Sequence, residues 1–186
     1  MNVYDFDKTI YNGDSTFDFY RFCLKRHPKI ILRLPSLLFN YCAFLLKRIS
    51  KTEFKERMYK FLTDIDDIDF EIKSFWDKNI KKIKNFYKRS QKADDVIISA
   101  SPEFLIIPAC QRINIRYAYA SKVNKHTGKY TGINCHGKEK VNRFYSAFPN
   151  GVIDNFYSDS YSDTPLAKLA KNSYIVSGEN LKAWKF

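Results

Sequence analysis

The run Asn2-Val3-Tyr4-Asp5-Phe6-Asp7-Lys8-Thr9 decides the fold of this 186-residue chain. Its first three residues predict a short buried strand, and polar residues follow that strand at once. Asp5 and Asp7 therefore place two carboxylates beside one another at a strand end. Such a pair suits a divalent cation with oxygen ligands. It also suits a division of labour in which one carboxylate is a nucleophile and the other an acid/base.

Two further apolar runs end in the same way. Val96–Ile98 is followed by Ser99, and Val152–Tyr157 is followed by Ser158 and Asp159. In parallel α/β sheets, ligands bind outside the carboxyl ends of the strands, so these polar residues predict one shared site. The remaining candidate strands are Ile115–Ala118 and Ser173–Val176, and residues 119–136 read as a β-hairpin or extended excursion.

About 80 residues between the first two strands read as helical. Apolar residues recur at helical spacing in Thr16–Arg26, Lys51–Leu62 and Ile68–Ser90. Adjacent parallel strands need a crossover of only about a dozen residues. The excess predicts a separate helical cap over residues 16–92, with residues 1–15 and 93–186 forming the core.

Three later elements carry residues that can do chemistry. Ser99 and Ser101 lie in a predicted strand-to-helix turn, where hydroxyl and backbone N–H groups bind phosphate oxygens well. Lys138 and Lys140 follow Gly137, and a lysine there would neutralise charge during phosphoryl transfer. Asp159 and Asp163, four residues apart after the third strand, are candidates to complete a metal site. Thr9, at the end of the opening run, is a further candidate phosphate ligand.

These elements, in this order, resemble the motifs of the haloacid dehalogenase superfamily of phosphatases. Asp5-Phe6-Asp7-Lys8-Thr9 looks like its first motif, Ser99 its second, Lys140 its third, and Asp159 with Asp163 its fourth. The long helical insert resembles the type I cap of the phosphoserine phosphatase-like branch. The resemblance implies a Rossmann-like three-layer α/β/α core with a parallel sheet and an inserted α-helical cap.

The resemblance also implies roles for individual residues. Asp5 would attack phosphorus to form an aspartyl-phosphate, and Asp7 would be the acid/base. Mg²⁺ would be held by Asp5, Asp7 through its backbone carbonyl, and Asp159, with Asp163 beside or behind them. Ser99 and Lys140 would hold the phosphoryl oxygens, with Thr9 and Ser101 as further phosphate contacts. Lys140 is preferred to Lys138 because the pattern of the family that the chain resembles places a glycine about three residues before the lysine, as Gly137 is here.

The implied activity is hydrolysis of a phosphate monoester by a Mg²⁺-dependent phosphatase, with a phosphorylated small molecule as substrate. Residues 16–92 carry 19 Lys or Arg and 9 Asp or Glu, so nearly all of the net charge of +12 lies in the predicted cap. A basic segment attracts nucleic acid, anionic lipid or small phosphates, but no nucleic-acid motif accompanies it and no nucleic-acid partner is expected. A lipid phosphate phosphatase at a membrane surface, similar to a phosphatidylglycerophosphatase, and a phosphotransferase on the same fold stay open as alternatives.

The segment Ile30–Leu46 is apolar but interrupted by Arg33, Pro35 and Asn40. A membrane span needs about 20 mostly apolar residues, so a buried or interfacial helix is favoured, with peripheral contact to an anionic membrane as an open alternative. The four cysteines form no CxxC pair, and no apolar signal-peptide core follows Met1. These features favour a cytoplasmic protein, including one peripheral to the inner face of the membrane.

Overall fold

A six-stranded sheet lies at the centre of the protein, which a computed structural model describes over residues 1–186. The sheet order is β3-β2-β1-β4-β5-β6, and every neighbouring pair is parallel except β5 with β6. The strands are β1 (Asn2–Tyr4), β2 (Val96–Pro102), β3 (Tyr117–Ser121), β4 (Ile153–Ser158), β5 (Ala170–Ser177) and β6 (Asn180–Ala183). The predicted α/β fold is confirmed, with an antiparallel edge strand that the sequence pattern does not predict.

The central strand β1 separates two hydrophobic cores. Successive side chains of a strand point to opposite faces, and Val3 packs in one cluster while Tyr4 packs in the other. In β2, Ile97 joins Tyr4, whereas Val96 and Ile98 join Val3. The carboxyl end of β1 is therefore fixed between two packed layers, and this rigidity positions the residues that follow it.

Eight α-helices accompany the sheet, and five of them lie between β1 and β2. The helices are α1 (Ser15–Arg26), α2 (Leu34–Leu45), α3 (Lys51–Tyr59), α4 (Ile68–Asn79), α5 (Asn85–Ser90), α6 (Glu103–Arg112), α7 (Lys138–Ala147) and α8 (Thr164–Ala167). Phe75 and Trp76 of α4 share the 28-residue cluster that contains Tyr4 and Ile97 of the sheet. Trp76 also donates a hydrogen bond from Nε1 to the carbonyl of Leu105 in α6, at 2.8 Å.

The helix predicted over Ile68–Ser90 is broken into α4 and α5. A 3₁₀ turn and two extended residues, Ile83 and Lys84, separate the two helices. The extended residues pair with the chain that leaves β1, because Ile83 bridges Tyr11 and the Lys84 N–H donates to the carbonyl of Ile10 at 2.8 Å. Backbone pairing with a distant segment is invisible to helical periodicity, which is why the pattern predicts one helix.

Helix α2 and the 3₁₀ turn before it form the Ile30–Leu46 segment. Asn40 is the only buried residue of α2, and its side chain accepts a hydrogen bond from Arg57 of α3 at 2.7 Å. Most of the large apolar side chains of the segment are exposed instead, including Leu38 and Phe39. None of the helices has the length and apolar character that crossing a bilayer requires.

Residues 119–136 form less regular structure than a hairpin. Strand β3 ends at Ser121, and a single antiparallel bridge joins Val123 to Tyr130. Gly128, with a φ of 72°, turns the chain between them, where it packs directly against Tyr59. This tight loop ties the region after β3 to the end of α3.

Candidate active site

A polar cavity of about 190 Å³ opens at the carboxyl ends of β1, β2 and β4. Only one of its fifteen lining residues is hydrophobic. Seven of the eight predicted site residues line it, all except Thr9: Asp5, Asp7, Ser99, Ser101, Lys140, Asp159 and Asp163. The pairing of β1 with β4 extends past the strand, since the N–H of Asp5 donates to the carbonyl of Tyr157 at 2.9 Å. That bond holds the first and fourth predicted motifs together.

Asp5 lies beside a buried ammonium group. Lys140 Nζ donates to Asp5 Oδ1 at 2.6 Å and to Asp163 Oδ2 at 2.7 Å, and Ser158 Oγ also donates to Asp163. Burial raises the pKa of Asp5 while the Lys140 charge lowers it, and the balance lies above the usual value for a carboxyl group. Burial alone would lower the pKa of Lys140, but the two carboxylates raise it well above normal, so this lysine stays charged.

Helix α7 explains why Lys140 and not Lys138 enters the cavity. Both lysines lie in its first turn, which begins after Gly137. Residues two positions apart on a helix face different directions. Lys140 is buried and Lys138 is exposed, and the structure brings only Lys140 into the site.

Asp7 occupies a different hydrogen-bonded position from Asp5. Its Oδ1 accepts from the Ser15 N–H at 2.6 Å, at the start of α1, and its Oδ2 accepts a short hydrogen bond from Ser101 Oγ. Burial and the nearby charge of Asp14 raise the pKa of Asp7 to about 6, and the two hydrogen bonds limit the rise. A carboxyl group with such a pKa exchanges its proton readily near neutral pH.

The three predicted hydroxyl contacts have distinct surroundings. Ser99 is buried at the cavity wall, and its Oγ accepts from the N–H of Ser101 at 3.1 Å. Ser101 Oγ lies on Asp7 and accepts from Thr16 Oγ1 at 3.0 Å. Thr9 is fully buried outside the cavity lining, where its Oγ1 accepts from the N–H of Asp159 at 2.9 Å. Ser99 and Ser101 thus both line the cavity, and Ser101 and Thr9 also make bonds that fix the positions of Asp7 and Asp159.

Asp159 has the one carboxylate of the set that accepts no hydrogen bond and forms no salt bridge. It lines the cavity, and burial raises its pKa. No three His, Cys, Asp or Glu side chains are arranged as a complete metal cage, and the carboxylates of Asp7 and Asp163 are engaged by protein donors. Mg²⁺ is usually held by one or two carboxylates, with water and substrate phosphate completing its shell. Asp159 and the Oδ2 side of Asp5 fit that pattern.

The structure adds cationic residues to the site that the sequence motifs do not indicate. Lys55 of α3 crosses from the helical insert to donate a 2.8 Å hydrogen bond to the carbonyl of Ala100. Burial and the neighbouring charge of Lys51 lower its pKa to about 8. Lys51 and His136 also line the cavity. Lysines are frequent throughout the insert, so no sequence signal distinguishes Lys51 and Lys55 from the others.

The turn after β1 has an unusual backbone. Lys8 has a φ of 56°, in the left-handed region that non-glycine residues rarely adopt. Its N–H donates to the carbonyl of Gly13 at 2.8 Å, and its carbonyl accepts from Lys84 Nζ. These bonds stabilise the turn that directs Asp5 and Asp7 into one cavity from successive parts of the chain.

Comparison with solved structures gives the same architecture. A protein of unknown function from Bordetella pertussis Tohama I is 16% identical, with a TM-score of 0.75 over 93% of this chain and 87% of that one. A phosphoserine phosphohydrolase-like protein from Francisella tularensis subsp. tularensis SCHU S4 is 18% identical, with a TM-score of 0.56 over 93% and 86%. A phospho-aspartyl intermediate analogue of phosphoserine phosphatase is 14% identical, with a TM-score of 0.54 over 92% and 83%.

Comparison of sequences gives a more specific result than comparison of folds. No curated protein matches the chain. The sequence model of haloacid dehalogenase-like hydrolases, in contrast, matches residues 3–168, which run from within β1 to just beyond α8 and include every residue of the cavity described above. With this match over most of its length, a mostly parallel sheet and the four motifs at one cavity, this chain is a member of the haloacid dehalogenase-like hydrolase family.

Proposed function

We propose that the protein is a Mg²⁺-dependent phosphatase that hydrolyses a phosphate monoester through an aspartyl-phosphate on Asp5. The observation that carries the proposal is the placement of Asp5 between a buried, charged Lys140 and a second carboxylate, Asp7, at one polar cavity. Three carboxylates would repel a phosphate on their own. A cation at the site and a fixed ammonium group offset that repulsion.

In the first step a carboxylate oxygen of Asp5 attacks phosphorus, and the bond from phosphorus to the ester oxygen breaks. Asp7, whose raised pKa of about 6 lets it carry a proton closer to neutral pH than an ordinary carboxyl group, gives that proton to the leaving oxygen. Ser99 and Lys140 bind the phosphoryl oxygens, and Ser101 orients Asp7 through its hydroxyl. The alcohol leaves, and the phosphoryl group stays on Asp5.

In the second step Asp7, now a carboxylate, removes a proton from water as that water attacks phosphorus. The bond between phosphorus and Asp5 breaks, which restores the Asp5 carboxylate and releases inorganic phosphate. Mg²⁺, held by Asp5, Asp159 and the backbone carbonyl of Asp7, would supply charge stabilisation to the phosphoryl oxygens. Asp163 keeps Lys140 in position, since its Oδ2 accepts from Lys140 Nζ at 2.7 Å and is itself held by Ser158 Oγ at 2.8 Å.

The helical insert completes the proposal. Residues 16–92 would form a type I cap over a catalytic core of residues 1–15 and 93–186, and Lys55 would be its contact with the second motif. We place the enzyme in the cytoplasm, where its substrate is a phosphorylated small molecule.

The variant Asp5→Asn tests the assignment of the nucleophile. It should abolish Mg²⁺-dependent release of phosphate from p-nitrophenyl phosphate while circular dichroism shows a native fold. Asp66→Asn is the matched control, because Asp66 is exposed and makes no hydrogen bond. Substantial turnover by Asp5→Asn would refute the assignment. Measuring free phosphate with water as the only acceptor separates hydrolysis from transfer, and beryllium fluoride with Mg²⁺ should inhibit the wild type.

A further inference from the structure

A second cavity, apolar and much larger, lies among the first three helices of the insert. Its volume is about 760 Å³, and eight of its nine lining residues are hydrophobic. Phe17 of α1, Leu38 of α2 and Met58 of α3 are among them. Small-molecule pockets typically measure about 300–1,000 Å³ and are mostly apolar. The cavity therefore has the size and chemistry of a binding site for an apolar group.

A third cavity of about 570 Å³, here called the neck, shares lining residues with both the apolar cavity and the catalytic one. The neck shares Phe17, Phe54 and Met58 with the apolar cavity. At its other end it shares five polar residues with the catalytic cavity: Lys8, Asp14, Lys51, Lys55 and Ser101. One path thus leads from carboxylates, past lysines, to aliphatic and aromatic side chains.

The sizes of the cavities bear on what occupies them. The catalytic cavity, at about 190 Å³, is smaller than the usual range for a whole ligand. It has room for the phosphoryl group, and the remainder of a substrate has to extend into the neck. The lysines there suit oxygen-rich groups near the phosphate, and the residues beyond them suit hydrocarbon.

The mouth of the apolar cavity is apolar as well. Leu38 is 65% exposed and Leu34 37% exposed, and both line the cavity. The buried side of α2 instead carries Asn40, bound to Arg57. This is the reverse of the usual arrangement, in which a helix turns its apolar stripe to the core. An apolar chain that enters from this side meets hydrocarbon before it meets charge.

We infer that the substrate is an amphiphilic phosphate monoester, with its phosphate in the catalytic cavity, its polar linker in the lysine-lined neck and its hydrocarbon chain in the apolar cavity. The inference rests on the proposed function and names the substrate class of the same site. A short polar ester would leave the apolar cavity without an occupant. The graded change from charge to hydrocarbon along one continuous path matches the graded chemistry of an amphiphile.

A chain-length series tests the inference directly. Linear alkyl phosphates from ethyl to dodecyl, each kept below its micelle-forming concentration, would be assayed with wild-type protein and Mg²⁺. Burial of one methylene is worth about a fourfold change in binding at most, so kcat/KM should rise about twofold to fourfold per carbon and then level off. A flat series would overturn the inference. If kcat/KM does not change along the series and sedimentation shows a dimer, the apolar face would instead be assigned to contact with a second copy of the chain.

A pair of variants locates the effect in the cavity. Leu38→Asp places a charge at the cavity wall on a side chain that is already largely exposed, and Leu181→Asp places one on the exposed face of β6, away from it. The ratio of kcat/KM for dodecyl phosphate to that for ethyl phosphate should fall at least tenfold in Leu38→Asp and match wild type in Leu181→Asp. An unchanged ratio in Leu38→Asp would overturn the inference. If the wild-type protein does not hydrolyse p-nitrophenyl phosphate at all, the proposed function itself would be refuted.

Discussion

Replacing Asp7 by Asn should stabilise the protein while removing its activity. In the folded protein burial and the charge of Asp14 raise the pKa of Asp7 from 3.8 to about 6. The folded state therefore holds this proton more tightly than the unfolded state. As pH rises from about 4 through 6 the unfolded chain loses the proton first, and the ionised group then lowers the free energy of unfolding. Asparagine has no charge to bury at any pH.

The magnitude follows from the shift. A change of about two pKa units corresponds to about 3 kcal/mol, and the substitution weakens the charge-assisted hydrogen bonds from Ser15 and Ser101. We expect a net gain of about 1–3 kcal/mol at pH 8. For a chain of this size that raises Tm by about 2–12 °C. The gain should shrink as pH falls through 6 and be smallest near pH 4, where wild-type Asp7 is protonated in both states.

Urea unfolding followed by circular dichroism, in EDTA at pH 8 and pH 4.5, measures the effect. EDTA keeps divalent ions from stabilising the wild-type carboxylates. Asp66→Asn provides the comparison, since an exposed substitution should change stability by less than about 0.5 kcal/mol at both pH values. Equal gains at both pH values, or a loss at pH 8, would show that burial of the Asp7 charge is not a cost to the fold.

Three other changes probe separate parts of the structure. Gly128→Ala should lower the free energy of unfolding by about 3 kcal/mol or more, because the added Cβ would lie 2.6 Å from the Cβ and carbonyl oxygen of Tyr59. Gly178→Ala is the control, since φ is also positive there but nothing lies within 4 Å of the added Cβ. It should lower the free energy of unfolding by only about 1–2 kcal/mol in the same urea titration. Lys140→Met should destabilise the protein by about 3–5 kcal/mol at pH 7, since two buried carboxylates lose their counter-charge. The loss of stability should be smaller at pH 5, where carboxylates take up protons. An equal loss at the two pH values would contradict the ion-pair explanation. The pKa of Lys55, about 8, predicts that kcat/KM for p-nitrophenyl phosphate falls as pH rises through 8. Lys55→Arg should move that fall to higher pH. A pH profile of kcat/KM that is the same in the variant and the wild type would exclude a role for the Lys55 charge.

The sheet and its catalytic edge could be predicted because their signals are local. Each central strand is a short apolar run with a polar residue at its carboxyl end, and that pattern located Asp5, Ser99 and Asp159 without knowledge of the fold. Strand β6 escaped prediction, since its four residues are all exposed and carry no apolar run. Its existence depends on the turn at Gly178, which folds the chain back along β5.

The contacts of the site could not be predicted from spacing. The sequence places Ser101 near phosphate, but it does not reveal the hydrogen bond from its hydroxyl to Asp7, next to the point where β2 shifts register between Ile98 and Pro102. Lys55 lies 45 residues from the carbonyl that it contacts, so only the packing of the insert on the core reveals it. The family pattern favours Lys140 over Lys138, but only the direction in which α7 begins shows that Lys140 is buried at the cavity and Lys138 exposed.

The hydrophobic cluster shared by the helices and the sheet has a consequence for cooperativity. Because Phe75 and Trp76 pack with Tyr4 and Ile97, the interior of the insert is continuous with that of the sheet. Helices and sheet should melt as one unit, and a rigid swing of the whole insert would expose the common interior to water. Entry and exit of ligands would then depend on α2, whose only buried residue is Asn40.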